Sequence, residues 1–104
     1  MAVTATARVP AADAGKYLRQ LCKHWAHKLA VEFTPEQGKV VFPRDARGAA
    51  WPGDAILTLK AGDGRLECRL EASDPGQLAA LKDAVARHLD RFAFREAPLP
   101  FDWR

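Results

Sequence analysis

The segment AILTLKAGDGRLECRLE, residues 55–71, carries the clearest structural signal in the chain. Two runs of strand character flank residues 61–64, whose glycines and aspartate are typical of a hairpin turn. In the second run, Leu66, Cys68 and Leu70 alternate with charged residues. Because successive side chains of a strand point to opposite faces, the segment predicts an antiparallel sheet with one apolar face and one face in water.

Further strands are predicted on both sides of this hairpin. Residues 31–33 and 39–42 form a second hairpin around a turn at residues 34–38, which contains Pro35 and Gly38. Residues 3–9 alternate apolar and polar side chains and predict the first strand. Residues 99–103 alternate again and predict a last strand at a sheet edge, where proline is tolerated. Residues 43–53 have no clear period and predict a surface loop.

Two segments have the period of an amphipathic helix. Asp13 is the predicted N-cap of the first, and its apolar stripe consists of Ala14, Tyr17, Leu18, Leu21, Cys22, Trp25 and Leu29. The second begins with Asp74 as N-cap, a proline at the first helical position and Gln77 in a capping-box position. Its stripe consists of Leu78, Leu81, Val85, Leu89 and Phe92. Trp25, Leu21 and Leu81 are predicted to be largely buried.

Together these segments predict an α+β fold in the order β-α-β-β-β-β-α-β. A sheet of about five to six antiparallel strands would bury its apolar face under two helices. At 104 residues the chain has the usual size of one domain, and we expect residues 1–104 to form a single one.

Composition limits the classes of function. Residues 1–30 hold five basic side chains and one acidic, a net charge of +4, whereas the remainder carries −1. This excess suits an anionic partner but is below the density of a dedicated nucleic-acid binder. Cys22 and Cys68 lie in apolar stripes, and no secretion signal or membrane-length apolar run is evident. We therefore expect reduced, buried thiols in a cytoplasmic protein.

The run LCKHWAHK, residues 21–28, has the highest density of side chains that could bind a ligand or react. Neighbouring positive charges lower the affinity of an imidazole for protons, which leaves His24 and His27 neutral and able to act as ligands or hydrogen-bond partners. A metal site of His24, His27 and His88 is one alternative, although Lys23 and Lys28 oppose it. The other is that His24 and His27 are surface or helix-packing residues. His88 then either lies at the core edge, satisfied by a backbone carbonyl or a carboxylate, or lines a pocket between the helices that holds a small acid or a metal chelate.

Other functional patterns are weaker. A basic stripe on the first helix, which consists of Lys16, Arg19, Lys23, His27 and Lys28, suits a phosphate backbone, but the polar sheet face lacks the aromatics of RNA-binding modules. Ser73 is the sole serine, and no triad, phosphate loop or zinc motif stands out. Catalysis is therefore unsupported, and no cofactor is predicted.

The run LCKHWAHK, the block RHLDRFAFRE at residues 87–96 and the pair Asp102 and Trp103 resemble a small bacterial family, the domain of unknown function 2218. The resemblance covers nearly the whole chain, although residues 43–54 are longer than in a typical member. It implies no defined activity, but it implies a link to iron uptake, with a siderophore-interacting flavoprotein reductase as a protein partner. The leading hypothesis is a non-catalytic accessory or binding domain in cytoplasmic iron or siderophore handling. Its predicted surface consists of Lys23, His24, His27, Lys28, His88 and Arg95. The alternatives are a small metal-binding protein or enzyme that uses His24, His27 and His88, and nucleic-acid binding through the basic first helix.

Overall fold

The computed structural model describes residues 3–45, 48, 50–97 and 99–104. Its elements in chain order are β1 (Val3–Pro10), α1 (Ala14–Trp25), β2 (Ala30–Phe33), β3 (Gln37–Phe42), β4 (Ala55–Gly62), β5 (Arg65–Ala72) and α2 (Pro75–Phe92). All strand pairs are antiparallel, and the strand order is β1-β5-β4-β3-β2. The predicted α+β class is confirmed, with five strands.

One face of the sheet is apolar because the register aligns the inward positions of neighbouring strands. Leu70 of β5 stands opposite Ala5 of β1 and Leu57 of β4, and all three are buried. Helix α1 packs mainly over β3 and β4, whereas α2 packs over β5 and β1. The buried side chains of the sheet and of both helices form one continuous cluster.

The other face of the sheet carries the charged residues, as the alternation in residues 65–71 predicts. Glu67 of β5 lies between Arg8 of β1 and Lys60 of β4 in the strand register. Arg8 Nε approaches Glu67 Oε2 to 3.9 Å. Exposed pairs of this kind add little to stability, so their main effect is to keep this face in water.

The start of α1 forms hydrogen bonds with a side chain from the far end of the chain. Asp13 is the N-cap residue, as predicted, but its side chain makes no cap hydrogen bond. Instead the Ala12 N–H donates to Glu96 Oε1 at 2.8 Å, and the Tyr17 hydroxyl donates to Glu96 Oε2. The hydrogen bond to Glu96 raises the pKa of Tyr17 to about 12, and the Ala12 N–H lowers the pKa of Glu96. A carboxylate at a helix N-terminus also complements the helix dipole.

The start of α2 follows the predicted capping signals. Asp74 Oδ1 accepts a hydrogen bond from the Gly76 N–H at 2.7 Å, which confirms the N-cap. Gln77 is buried, and its Oε1 accepts a hydrogen bond from the Ser73 N–H at 2.8 Å. Ser73 is the residue before the N-cap, whereas in a capping box the N-cap N–H itself would be the donor. Its Nε2 donates to the Gly53 carbonyl at 3.0 Å, so this side chain also holds the loop before β4.

Two details of the predicted helices are wrong. The stripe of α1 includes Leu29, but the helix ends at Trp25, and the N–H groups of Lys28 and Leu29 turn back to the Trp25 carbonyl. Leu21 and Trp25 are buried as predicted, whereas Leu81 is only half-buried.

The last predicted strand is also absent from the described residues. The described part of this tail nevertheless lies against the sheet edge, because Arg104 exchanges two backbone hydrogen bonds with Thr6 of β1, at 2.8 and 2.9 Å. In the described part of the chain, neither helix is long and apolar enough to cross a membrane.

Both cysteines are free and fully buried, as predicted. Burial raises the pKa of Cys22 to about 11, and burial together with the charge of Glu67 raises that of Cys68 to about 12. The thiolate is the reactive form. We therefore expect both thiols of the folded protein to react with iodoacetamide far more slowly at pH 8 than those of the protein in guanidinium chloride. Mass spectrometry of timed samples checks this, and fast labelling of either cysteine in the folded state would contradict it.

Candidate functional site

The C-terminal end of α1 meets the last two turns of α2 through a group of rings, which we term the helix seam and define as His24, Trp25, His88 and Phe92. The ring centroids of His24 and His88 are 5.4 Å apart and their planes are tilted by 47°. Trp25 lies 5.0 Å from His88, and Phe92 lies 5.8 Å from His24. The seam forms because Trp25 and Phe92 belong to the apolar stripes that hold both helices on the sheet.

His88 is held in one orientation by its own helix. Its Nδ1 lies 2.6 Å from the carbonyl oxygen of Ala84, one turn earlier. Because a carbonyl oxygen only accepts hydrogen bonds, Nδ1 must carry the proton. This is the hydrogen bond expected of a core-edge histidine that is satisfied by a backbone carbonyl. When the ring is neutral, Nε2 is therefore the unprotonated nitrogen.

His24 is exposed and lies in a positive environment. Its pKa is lowered, first because its neighbours remove part of its hydration and then because of the nearby positive charges. These charges come from His88 and Arg91 of α2 and from His27 and Lys28 of the turn after α1. His24 makes no side-chain hydrogen bond in the part of the chain that the structure describes. Neither ring nitrogen is therefore committed to a partner among the described residues.

The structure brings together only part of the predicted surface. His24 and His88 are in contact, and His27 and Lys28 act on His24 electrostatically. Lys23 is exposed one residue before His24. Arg95 lies elsewhere, with its guanidinium 5.7 Å from the exposed ring of Phe94.

The alternative site of three histidines is not assembled. No group of three or more histidine, cysteine, aspartate or glutamate side chains is placed to hold a metal ion within the described residues. The physical reason is that α1 ends at Trp25, so His27 does not follow His24 on the same helical turn.

Arg91 and Gln20 are the seam neighbours that sequence analysis did not identify. The helical period places Arg91 on or near the polar side of α2, but its charge acts on His24 across the gap between the helices. Gln20 lies one turn before His24, and its Oε1 is buried without a hydrogen-bond partner in the described part of the chain. The sequence signal for both is their spacing from the histidines, three residues after His88 and four before His24.

Two clefts lie away from the seam. One, of about 270 Å³, is lined by residues 52–54, 56 and 71–73 at the loop before β4. The other, of about 530 Å³, is lined by Thr6, Arg8, Asp102 and Arg104 at the β1 edge. Neither contains a histidine or a cysteine, and the seam therefore remains the strongest candidate site.

The basic stripe of α1 is not a continuous row of free charges. Arg19 donates to the Pro35 carbonyl at 3.4 Å and is half-buried, whereas Lys16 and Lys23 are exposed. His27 and Lys28 lie beyond the helix end. The stripe is therefore interrupted at its centre and at its C-terminal end, which weakens its fit to a phosphate backbone.

Comparison with known proteins adds a family and a similar structure. The family that matches, over residues 6–104, is described as an uncharacterized protein conserved in bacteria, DUF2218. The NMR structure of PA4090 from Pseudomonas aeruginosa is 33% identical, with a TM-score of 0.73 over 97% of this chain and 94% of that one. The search of curated proteins found no match.

Proposed function

The chain belongs to the bacterial family DUF2218. We propose that it is a non-catalytic binding domain whose helix seam binds an anionic protein partner. The observation that carries the proposal is the convergence of His24 and His88 from two helices, at 5.4 Å, among basic groups. A positive site next to aromatic rings is complementary to acidic side chains or phosphate groups on a partner.

The composition of the seam supports a binding surface. Aromatic residues and arginine are enriched in protein interfaces, where they contribute a large share of the binding energy. Phe92 and His88 are half-buried, and Arg91 is exposed beside them. A partner that covers these side chains would remove apolar surface from water and neutralise the arginine at the same time.

The biological setting that we propose is iron or siderophore handling in the cytoplasm. This part of the proposal rests on the sequence resemblance, which implies a siderophore-interacting flavoprotein reductase as the partner. The positive charge of the seam suits an acidic patch on such an enzyme. The chain would then act as an accessory domain of the reductase and would not catalyse a reaction itself.

A charge reversal at Arg91, next to the seam, tests this proposal. We expect Arg91→Glu to weaken binding to a purified siderophore-interacting reductase by about tenfold or more, because the substitution places like charges opposite each other. Isothermal titration calorimetry provides the measurement. Lys82→Glu is the matched control, because position 82 lies about 120° around α2 from His88, and it should change the affinity less than about twofold.

Two results would contradict the proposal. One is a parent protein that does not bind the reductase. The other is an equal loss of affinity in Arg91→Glu and Lys82→Glu, which would indicate a general charge effect with no role for the seam.

A further inference from the structure

We propose that His24 and His88 form a proton-coupled binding site for an oxyanion, either a carboxylate or a phosphate-type group. This inference rests on the proposed function, because it assigns the chemistry by which the helix seam would hold its anionic partner. It adds that an anion binds well only after the seam has taken up a proton.

The orientation of His88 is the first step. Its Nδ1–H is committed to the Ala84 carbonyl at 2.6 Å, so the neutral ring offers only the lone pair of Nε2 to a ligand. An anion oxygen also presents lone pairs, and the two would repel. Protonation of Nε2 changes this nitrogen from an acceptor to a charged donor, which forms a strong hydrogen bond with an oxyanion.

The second step is the arrangement of His24 opposite His88. Its ring is 5.4 Å away on the facing helix and has no hydrogen bond to any described residue. In the proposed complex, one oxyanion accepts a hydrogen bond from each imidazole. Phe92, at 5.8 Å from His24, and Trp25, at 5.0 Å from His88, place apolar rings beside the pair. Reduced hydration strengthens a charge-assisted hydrogen bond.

The third step concerns the surrounding charges. The groups that act on His24 are all basic and come from α2, which provides His88 and Arg91, and from the turn that holds His27 and Lys28. The carboxylate beside Arg91, that of Asp90, accepts the Leu99 N–H at 2.8 Å. Without an anion, these basic groups oppose protonation of His24. A bound anion offsets this repulsion, so binding and proton uptake favour each other.

A metal cation is the alternative ligand for two neutral imidazoles. Unprotonated Nε2 atoms are good ligands for a transition metal, and a metal-binding histidine commonly donates its other N–H to a carbonyl. Arg91 and Lys28 disfavour this choice, because both place positive charge next to the pair. The anion is the ligand that all the nearby charges attract.

NMR of the histidine rings in the full chain tests the site, with sulfate as a tetrahedral probe and acetate as a carboxylate probe. At high pH, the nitrogen chemical shifts should show that the neutral ring of His88 carries its single proton on Nδ1. Sulfate should place a proton on Nε2 of His88, which the nitrogen shifts report directly. Its affinity should fall about tenfold per pH unit once the pair is neutral, because one proton is taken up on binding. Chloride at equal ionic strength is the reference for general charge screening.

Substitutions separate the pair from its surroundings. His88→Gln should remove the pH dependence of sulfate binding, because glutamine does not titrate. His24→Gln should weaken sulfate binding but keep its pH dependence, because the titrating His88 remains, and loss of folding is not expected at this exposed position. Lys82→Gln is the matched control on another side of α2 and should retain the full affinity and pH dependence. Stronger binding of sulfate than of acetate would indicate a phosphate-type ligand, and the reverse would indicate an acidic side chain.

Three results would overturn this inference. The first is a neutral His88 ring that carries its proton on Nε2. The second is a sulfate affinity that does not change between about pH 5.5 and pH 8. The third is one equivalent of metal bound to the untagged parent protein and absent from the His88→Ala variant. If sulfate has no effect but Arg91→Glu still abolishes reductase binding, this site fails and the binding domain stands. If sulfate binds as expected and the reductase does not bind, the oxyanion site stands and the proposed binding of the reductase is wrong.

Discussion

Leu21→Ala is expected to lower the free energy of unfolding by about 2–5 kcal/mol. Leu21 lies in the apolar stripe of α1 and is completely buried in the cluster that joins both helices to the sheet. Alanine removes most of the side chain and leaves a cavity that a close-packed core fills only in part. Urea denaturation followed by circular dichroism measures the loss.

Leu81→Ala is the matched control, because it makes the same substitution at a half-buried position of α2. It should cost clearly less than Leu21→Ala, since part of the leucine is already in water and less apolar contact is lost. Equal losses in the two variants, or an unchanged midpoint for Leu21→Ala, would be incompatible with α1 as the cover of the sheet.

Gly38→Ala is expected to cost about 1–3 kcal/mol through overpacking. A methyl group at position 38 would lie 2.6 Å from Cys22 Sγ and 3.5 Å from Leu18 Cδ2. The distance to Leu18 is ordinary van der Waals contact, but the distance to Cys22 is too short, and Cys22 is fully buried in a close-packed core. The Cys22 side chain, α1 or the strand must therefore shift.

Two further variants show whether this contact is the cause. Cys22→Ala removes the sulfur, so the double variant Gly38→Ala with Cys22→Ala should lose less stability than the sum of the two single variants. Gly62→Ala is the control at another strand glycine, where the new methyl group would meet only Arg65 atoms at 3.7 and 3.8 Å. Additive losses, or an equal effect at Gly62, would show that the approach of Cys22 is unimportant.

The position of Gly38 illustrates the limit of local sequence signals. A glycine close to a proline is typical of a turn, and residues 34–38 are predicted to form one. In the structure β3 already begins at Gln37, and Gly38 pairs with Leu59 in the sheet. The requirement for glycine comes from Cys22, sixteen residues earlier in the chain. A contact at that separation leaves no mark in the local pattern.

The candidate site shows the same division. The histidines, the basic neighbours of His24 and the apolar stripe that contains Phe92 are visible in the sequence, and so is the alternative of His88 bonded to a backbone carbonyl. The contact of His24 with His88 and the electrostatic effect of Arg91 are not. They depend on how far each helix is rotated and translated on the sheet, which the buried side chains determine jointly.

The sequence by itself determined the class of fold, the order of the elements from β1 to α2 and the polar face of the sheet. These follow from periods of two and about 3.6 residues, and such periods are local. Only the tertiary structure decided that Glu96 accepts a hydrogen bond at the start of α1, from a residue 84 positions earlier, and that two of the three histidines meet. The physical reason is that close packing of the whole core sets the distances between elements, and no single segment contains that information.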